Sequence, residues 1–218
     1  MCRHLLCAKC GLSRNSDLCD SQIHQNMKPI FVLDLLLLLL LLGCTEAPQR
    51  NGAPPIPKQN WTDKGYENFL LHLSSQRHPQ PNTLDEKQQN IIIEHALKHE
   101  LPIQKLEEGI WYVVHRRDST RDKKLEWGQK VSVHYQGRFL DGKTFDSSYD
   151  NDEPMEFYIG NMIHGWNTGL QQLQRGDFAT FLIASRLAYG EKGMKDSKEE
   201  FIIPPNKPLR FDIEVLDH

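Results

Sequence analysis

The sequence predicts an α+β protein, an antiparallel sheet crossed by one short helix and preceded by a small helical segment. Three observations predict it. Val131, Val133 and Tyr135 alternate with Ser132, His134 and Gln136, and Leu209, Phe211, Ile213 and Val215 alternate with Arg210, Asp212 and Glu214. Both runs have the period of two that belongs to strands. Between them Ile163, Trp166, Leu170 and Leu173 fall at helical spacing, with Gly176 placed as a C′ residue. Asp141-Gly142 after the first run supplies the turn chemistry of a hairpin, so neighbouring strands run antiparallel. Phe178 to Ala184 reads as a further, more apolar strand, and Ile110 to His115 has strand-like aromatic and β-branched content.

The N-terminal part has a different grammar. All 5 cysteines (Cys2, Cys7, Cys10, Cys19, Cys44) precede Thr45. The body of the chain therefore has no disulfide framework, thiol nucleophile or thiolate zinc site. Cys7-Ala-Lys-Cys10 has half the spacing of a zinc knuckle and lacks the second pair. From Met27 the chain reads Met-Lys-Pro-Ile-Phe-Val-Leu-Asp, then eight leucines (Leu35 to Leu42), then Gly43-Cys44. This is the layout of a signal peptide. The apolar run from Pro29 to Leu42 would make a helix of about 21 Å, short of a ~30 Å hydrocarbon core. Asp34 interrupts it, so a transmembrane span is the weaker reading. Leu41-Leu42-Gly43-Cys44 resembles the lipobox of bacterial lipoproteins. That resemblance implies acylation of Cys44 and a lipid-anchored protein in the bacterial envelope, periplasm-facing, with the choice of membrane left open. Met27 is then the expected start, and residues 1–26 a mis-assigned leader.

Residues 45–60 carry Pro48, Pro54, Pro55 and Pro57, the composition of an extended spacer. Residues 61–124 form the expected helical segment. Tyr66, Phe69, Leu70 and Leu73 make one amphipathic stripe. Thr83-Leu84-Asp85-Glu86 has the form of a capping box, followed by Ile91, Ile92, Ala96 and Leu97, with Pro102 as the expected stop. Such helices dock on their own domain, dimerise or bind a partner, and the sequence leaves the oligomeric state open.

Over residues 125–218 the motifs resemble one family closely. Val133-His134-Tyr135-Gln136-Gly137 is followed by Asp141-Gly142-Lys143-Thr144-Phe145-Asp146-Ser147-Ser148. Ile163-His164-Gly165-Trp166, Ala188-Tyr189-Gly190 and Ile202-Ile203-Pro204-Pro205-Asn206 then follow in the same order. In this order they are similar to the FKBP-type peptidyl-prolyl cis-trans isomerases. The resemblance implies a half-barrel sheet wrapped around the short helix, an apolar pocket for a proline side chain, and no cofactor or metal. Carried over, Trp166 is the pocket floor and Tyr135, Phe145 and Phe211 are its walls. Met155 stands where the family usually has phenylalanine. Asp146, Tyr189 and the Ile163 N–H are the expected catalytic groups. The Tyr189 hydroxyl and the Ile163 N–H bind substrate carbonyls, and Asp146 holds the local hydrogen-bond geometry. Isomerisation needs no proton transfer, so His134 and His164 have no catalytic role. Expected partners are proline-containing protein clients and macrolide-type ligands.

A net charge of −3, with 26 basic and 29 acidic residues, excludes the basic footprint of a nucleic-acid binder. The segment from Gly190 to Ile202 is longer than in compact family members and rich in charge (Glu191, Lys192, Lys195, Asp196, Lys198, Glu199, Glu200), and it is expected to be a loop. The layout of lipoprotein signal, spacer, short helices and single isomerase domain is similar to the gliding-motility-associated isomerase lipoproteins of the Bacteroidetes. The alternative function is a lipid-anchored, proline-dependent binding module or chaperone with incidental turnover.

Overall fold

The computed structural model describes residues 52–117 and 119–217. The expected leader (1–26), signal segment (27–44) and acylated Cys44 lie outside the described residues. Two helices come first, α1 (Asp63–Ser75) and α2 (Leu84–Lys98). Thr62 caps α1 by accepting from the Gly65 N–H, and Thr83 and Glu86 complete the expected capping box on α2. The α2 helix ends at Lys98, four residues before Pro102, because the chain turns at Glu100 into a left-handed conformation (φ 52°).

Seven strands then build one antiparallel sheet: β1 (Gln104–Glu107), β2 (Ile110–Arg116), β3 (Lys130–Phe139), β4 (Thr144–Ser147), β5 (Met155–Tyr158), β6 (Phe178–Ile183) and, last in the chain, Leu209–Val215. Its order is β1-β2-β6, then the C-terminal strand, then β3, which pairs with both β4 and β5. Strand β3 is long enough to divide its free edge. Lys130 to Val133 face β5, and Gln136 to Arg138 face β4. That split curls the sheet round the short helix α3 (His164–Leu170). Gly165 allows close approach, since a Cβ there would lie 2.6 Å from the Ile183 side chain.

The alternation read from the sequence resolves into two cores on opposite faces of the sheet. On one face Tyr135, Val133, Phe157, Trp166, Leu170, Phe181, Phe211 and Ile213 pack around α3. On the other, Phe69, Leu73, Ile92, Ile93 and Ala96 of the helices pack against Trp111, Val113 and Leu182. The helical segment therefore docks on its own domain. This explains why every residue of β6 is buried: one face serves each core. Burying Leu73 to 1% exposure contributes about 2 kcal/mol by apolar transfer alone. Ile56 and Trp61, in the stretch expected as spacer and entry, pack on this second core.

Three expectations are corrected in detail. Ile91 is 44% exposed, and the buried stripe of α2 runs through Ile92, Ile93 and Ala96. The α3 helix ends at Leu170, so Leu173 enters the core from a turn, and Gly176 (φ 83°) serves the entry to β6. The polar faces of β3 and of the C-terminal strand are buried too, through Ser132, His134, Arg210, Asp212 and Glu214. The charged segment is not a loop. It forms a hairpin of β7 (Met194–Lys195) and β8 (Phe201–Ile203), which makes Leu209–Val215 strand β9. Asp196 shapes its turn by accepting from the N–H groups of Lys198 and Glu200.

Candidate active site

The expected site residues lie on β3, β4, β9 and the start of α3, and strand register brings them together. Gly137 stands opposite Asp146 on one side and Phe211 on the other. With no Cβ at Gly137, the neighbouring rings close over the backbone. A methyl group there would lie 2.6 Å from Phe145 Cζ and 3.1 Å from Phe211 Cε1.

Trp166 is 2% exposed and holds the centre. Tyr135 meets it edge-on at 5.2 Å and Phe211 at 5.3 Å, with interplanar angles of 81° and 90°. Phe145 meets Phe211 at 5.7 Å and 88°. Near-perpendicular contacts suit the ring quadrupoles and hold the rings in fixed orientations. Met155 is half-buried on β5 opposite Val133 and packs on the same core. The Trp166 indole N–H is buried without an acceptor among the described residues.

Three polar groups rim this aromatic box. The Tyr135 hydroxyl donates to Asp146 Oδ2 at 2.5 Å. Burial, then the Asp146 carboxylate, pushes the Tyr135 phenol well above its ordinary range, so it remains a donor at any physiological pH. The half-buried Tyr189 is likewise shifted upward, first by burial and then by the Asp146 charge. Its hydroxyl makes no hydrogen bond with the described residues. The Ile163 N–H also finds no acceptor among them, while the Ile163 carbonyl accepts from Trp166 and Asn167 as the helix begins. Two donors are thus open beside the box, and one carboxylate is held by Tyr135.

One residue behind this arrangement escaped the sequence reading. Asn167 is buried, accepts from the N–H groups of Gly160 and Met162, and donates to the Met162 carbonyl. It sets the turn that presents Ile163. A lone Asn within a helix carries no sequence signal for that role. His134 lies elsewhere, bonded to Ser148 and stacked on Tyr149. His164 is exposed beside Glu107 at 2.8 Å.

A half-barrel sheet around a short helix, with an aromatic box and a rim of donors, makes an apolar site edged by polar groups, chemistry suited to a small apolar side chain and the chain flanking it. Comparison with known proteins agrees. Residues 121–216 match the family model described as FKBP-type peptidyl-prolyl cis-trans isomerase. The chain is 47% identical over 87 residues to a probable FKBP-type isomerase of Haemophilus influenzae, covering 40% of this chain and 34% of that one. It is 44% identical over 91 residues to the isomerase Fkbp12 of Drosophila melanogaster, covering 41% and 80%. A crystal structure of a peptidyl-prolyl cis-trans isomerase from Pseudomonas syringae pv. tomato is similar at TM-score 0.51 and 27% identity, covering 64% and 98%. The chain belongs to the FKBP-type peptidyl-prolyl cis-trans isomerase family. Its match spans about a third of the length of the Haemophilus relative.

Proposed function

We propose that this protein is a peptidyl-prolyl cis-trans isomerase that acts on proline-containing clients in the bacterial envelope. The observation that carries the reading is the box of Tyr135, Phe145, Trp166 and Phe211, with Asp146 fixed by Tyr135 and the donors of Tyr189 and Ile163 unengaged by the described residues.

An X-Pro amide turns slowly because resonance holds it planar behind a barrier of about 18–20 kcal/mol. At the twisted transition state that resonance is lost and the carbonyl is less polar. An apolar box favours the twisted amide over the planar one, and lowering the barrier needs no nucleophile. The ring of the proline sits over Trp166. The Tyr189 hydroxyl and the Ile163 N–H hold the flanking carbonyls, so the chain is fixed on both sides of the bond that rotates. Asp146 keeps the Tyr135 ring in register with the wall. A macrolide-type ligand with a proline-like ring fits the same box.

The envelope location rests on the signal-like segment before Gly43-Cys44, which makes Cys44 the acylated first residue of the mature protein. Each buried methylene of its acyl chains adds about 0.8 kcal/mol of membrane affinity. Service to gliding-motility or secretion machinery is the finer reading, supported by a layout of signal, spacer, short helices and single isomerase domain similar to that of the gliding-motility-associated isomerase lipoproteins. A Cys44→Ser variant is expected to leave the membrane fraction.

The second reading, a proline-dependent docking module or chaperone, is favoured by the β7–β8 hairpin, where Phe201 and Ile202 are exposed beside seven charged residues. The deciding experiment is cis-to-trans relaxation of X-Pro tetrapeptides with Tyr189→Phe, Asp146→Ala and Trp166→Ala beside the parent. Acceleration that falls in the folded variants establishes the isomerase and its site. A folded parent with no acceleration across several X residues leaves the docking module.

A further inference from the structure

The turn that carries Tyr189 is held at its base by a side chain from the helical segment. We infer that Gln88 of α2 is a positioning residue for Tyr189, an inference that rests on the isomerase reading. Gln88 lies outside the span matched by the family model, which begins at residue 121. It is 1% exposed, and its amide is fully engaged. Its Oε1 accepts from the Ser185 N–H at 2.7 Å. Its Nε2 donates to Ser185 Oγ at 2.9 Å and to the Asn206 carbonyl at 3.0 Å.

These bonds close a ring around the site. The Ser185 carbonyl accepts from Ala188 at 2.9 Å and from Gly190 at 2.7 Å, the residues on either side of Tyr189. The Asn206 N–H donates to the Gly190 carbonyl at 2.9 Å. Gln88 therefore ties the two ends of the segment that includes Tyr189 and the whole β7–β8 hairpin. Gly190 and Asn206 both have φ of 58°, in the left-handed region that a free chain visits rarely for a non-glycine residue such as Asn206. Beside the clamp Asp85 pairs with Arg186 Nε at 2.8 Å, and Arg186 also donates to the Glu108 carbonyl. The second core fixes α2 on the opposite face of the sheet from the aromatic box. The position of the Tyr189 hydroxyl is thus set from across the sheet, by a segment that touches no substrate.

Glutamine suits this place because one neutral group accepts from an N–H and donates to two oxygens. A glutamate there accepts but donates only when protonated, and burial raises its pKa toward neutrality. Methionine keeps the volume and loses every bond.

The test uses the full chain with Gln88→Met and Gln88→Glu. Leu73→Ala serves as a control that weakens the second core without touching the clamp. Tetrapeptide kcat/KM is measured relative to the parent at each pH from 5 to 8. Amide exchange is followed at Ser185 and Gly190. Gln88→Met is expected to lower kcat/KM about tenfold at all pH values and to speed exchange at Gly190. Leu73→Ala, though no more stable, keeps parental turnover. Gln88→Glu is impaired at pH 8 and recovers toward pH 5, a pH profile that loss of packing cannot produce. Parental kcat/KM in Gln88→Met overturns the inference, as does an equal loss in Leu73→Ala. An inactive parent refutes the isomerase reading instead, and exchange at Gly190 then decides by itself whether Gln88 holds the Tyr189 turn.

Discussion

Mild acid should weaken this protein, because a buried imidazole, His95, and a half-buried one, His115, are built to be neutral. His95 is 7% exposed between α2 and β9. Its Nδ1 lies 3.1 Å from the Leu140 carbonyl and its Nε2 3.4 Å from Arg210 Nη1. The carbonyl requires a donor at Nδ1 and the guanidinium an acceptor at Nε2, so a second proton would face Arg210. His115 bonds through Nε2 to Thr180 Oγ1 at 2.7 Å, and its buried Nδ1 has no partner among the described residues. Burial is the first cause that lowers both from 6.5 to about 4, with the His99 and Arg210 charges adding to it at His95.

The unfolded chain therefore binds more protons than the folded one between pH 6.5 and 4, and stability falls as pH falls through that window. Integrated to pH 5, one such imidazole costs about 2 kcal/mol, and screening by residual solvent lowers this to about 1 kcal/mol. Together they remove about 2 kcal/mol between pH 7.5 and 5. Urea midpoints measured across that range, at constant ionic strength, read the loss directly. A His95→Asn/His115→Asn double variant should show a much flatter profile. A parental midpoint unchanged from pH 7.5 to 5, or a double variant with the parental slope, refutes the reasoning.

Three further outcomes follow from the same geometry. Tyr135→Phe removes the donor to Asp146 while keeping the ring, so kcat/KM for tetrapeptides should fall about tenfold at a stability cost of about 1 kcal/mol in urea titration. Gly137→Ala drives a methyl group into Phe145 and Phe211. It should cost about 1–3 kcal/mol by overpacking and show a loss of macrolide-type ligand affinity by calorimetry, with the far-ultraviolet spectrum unchanged. Asp212→Ala removes the buried carboxylate that accepts from Thr180 and Arg210 and pairs with Arg138, and strands the Arg210 charge. Thermal unfolding should register about 3–5 kcal/mol of destabilisation.

The strands Lys130–Phe139 and Leu209–Val215 were legible because Val131 to Gln136 and Leu209 to Val215 alternate with period two, but their pairing with one another was not. The capping box at Thr83 was legible because its two bonds are local. The aromatic site residues were named by family pattern, and the structure links Tyr135, Trp166, Phe211 and Phe145 ring to ring, with Asp146 bonded to Tyr135. The hairpin at residues 194–203 was missed. Its strands are two and three residues long, too short to show a period, and its turn depends on one side chain, Asp196.

By itself the sequence determined which residues face one side of each element, since apolar spacing and capping are written within a few positions of one another. The members of the aromatic box came instead from the family resemblance of contiguous motifs, not from spacing. Only the tertiary structure decided that the polar faces of β3 and β9 are buried, because Glu214 and Asp212 of β9 take their partners Arg116 and Arg138 from strands far away in the chain. Only it decided that α2 packs on the sheet and places Gln88 beneath the Tyr189 turn, 97 positions away from Ser185. A hydrogen bond at that separation leaves no periodic trace in the chain, and docking is chosen by the free energy of burying two apolar faces together.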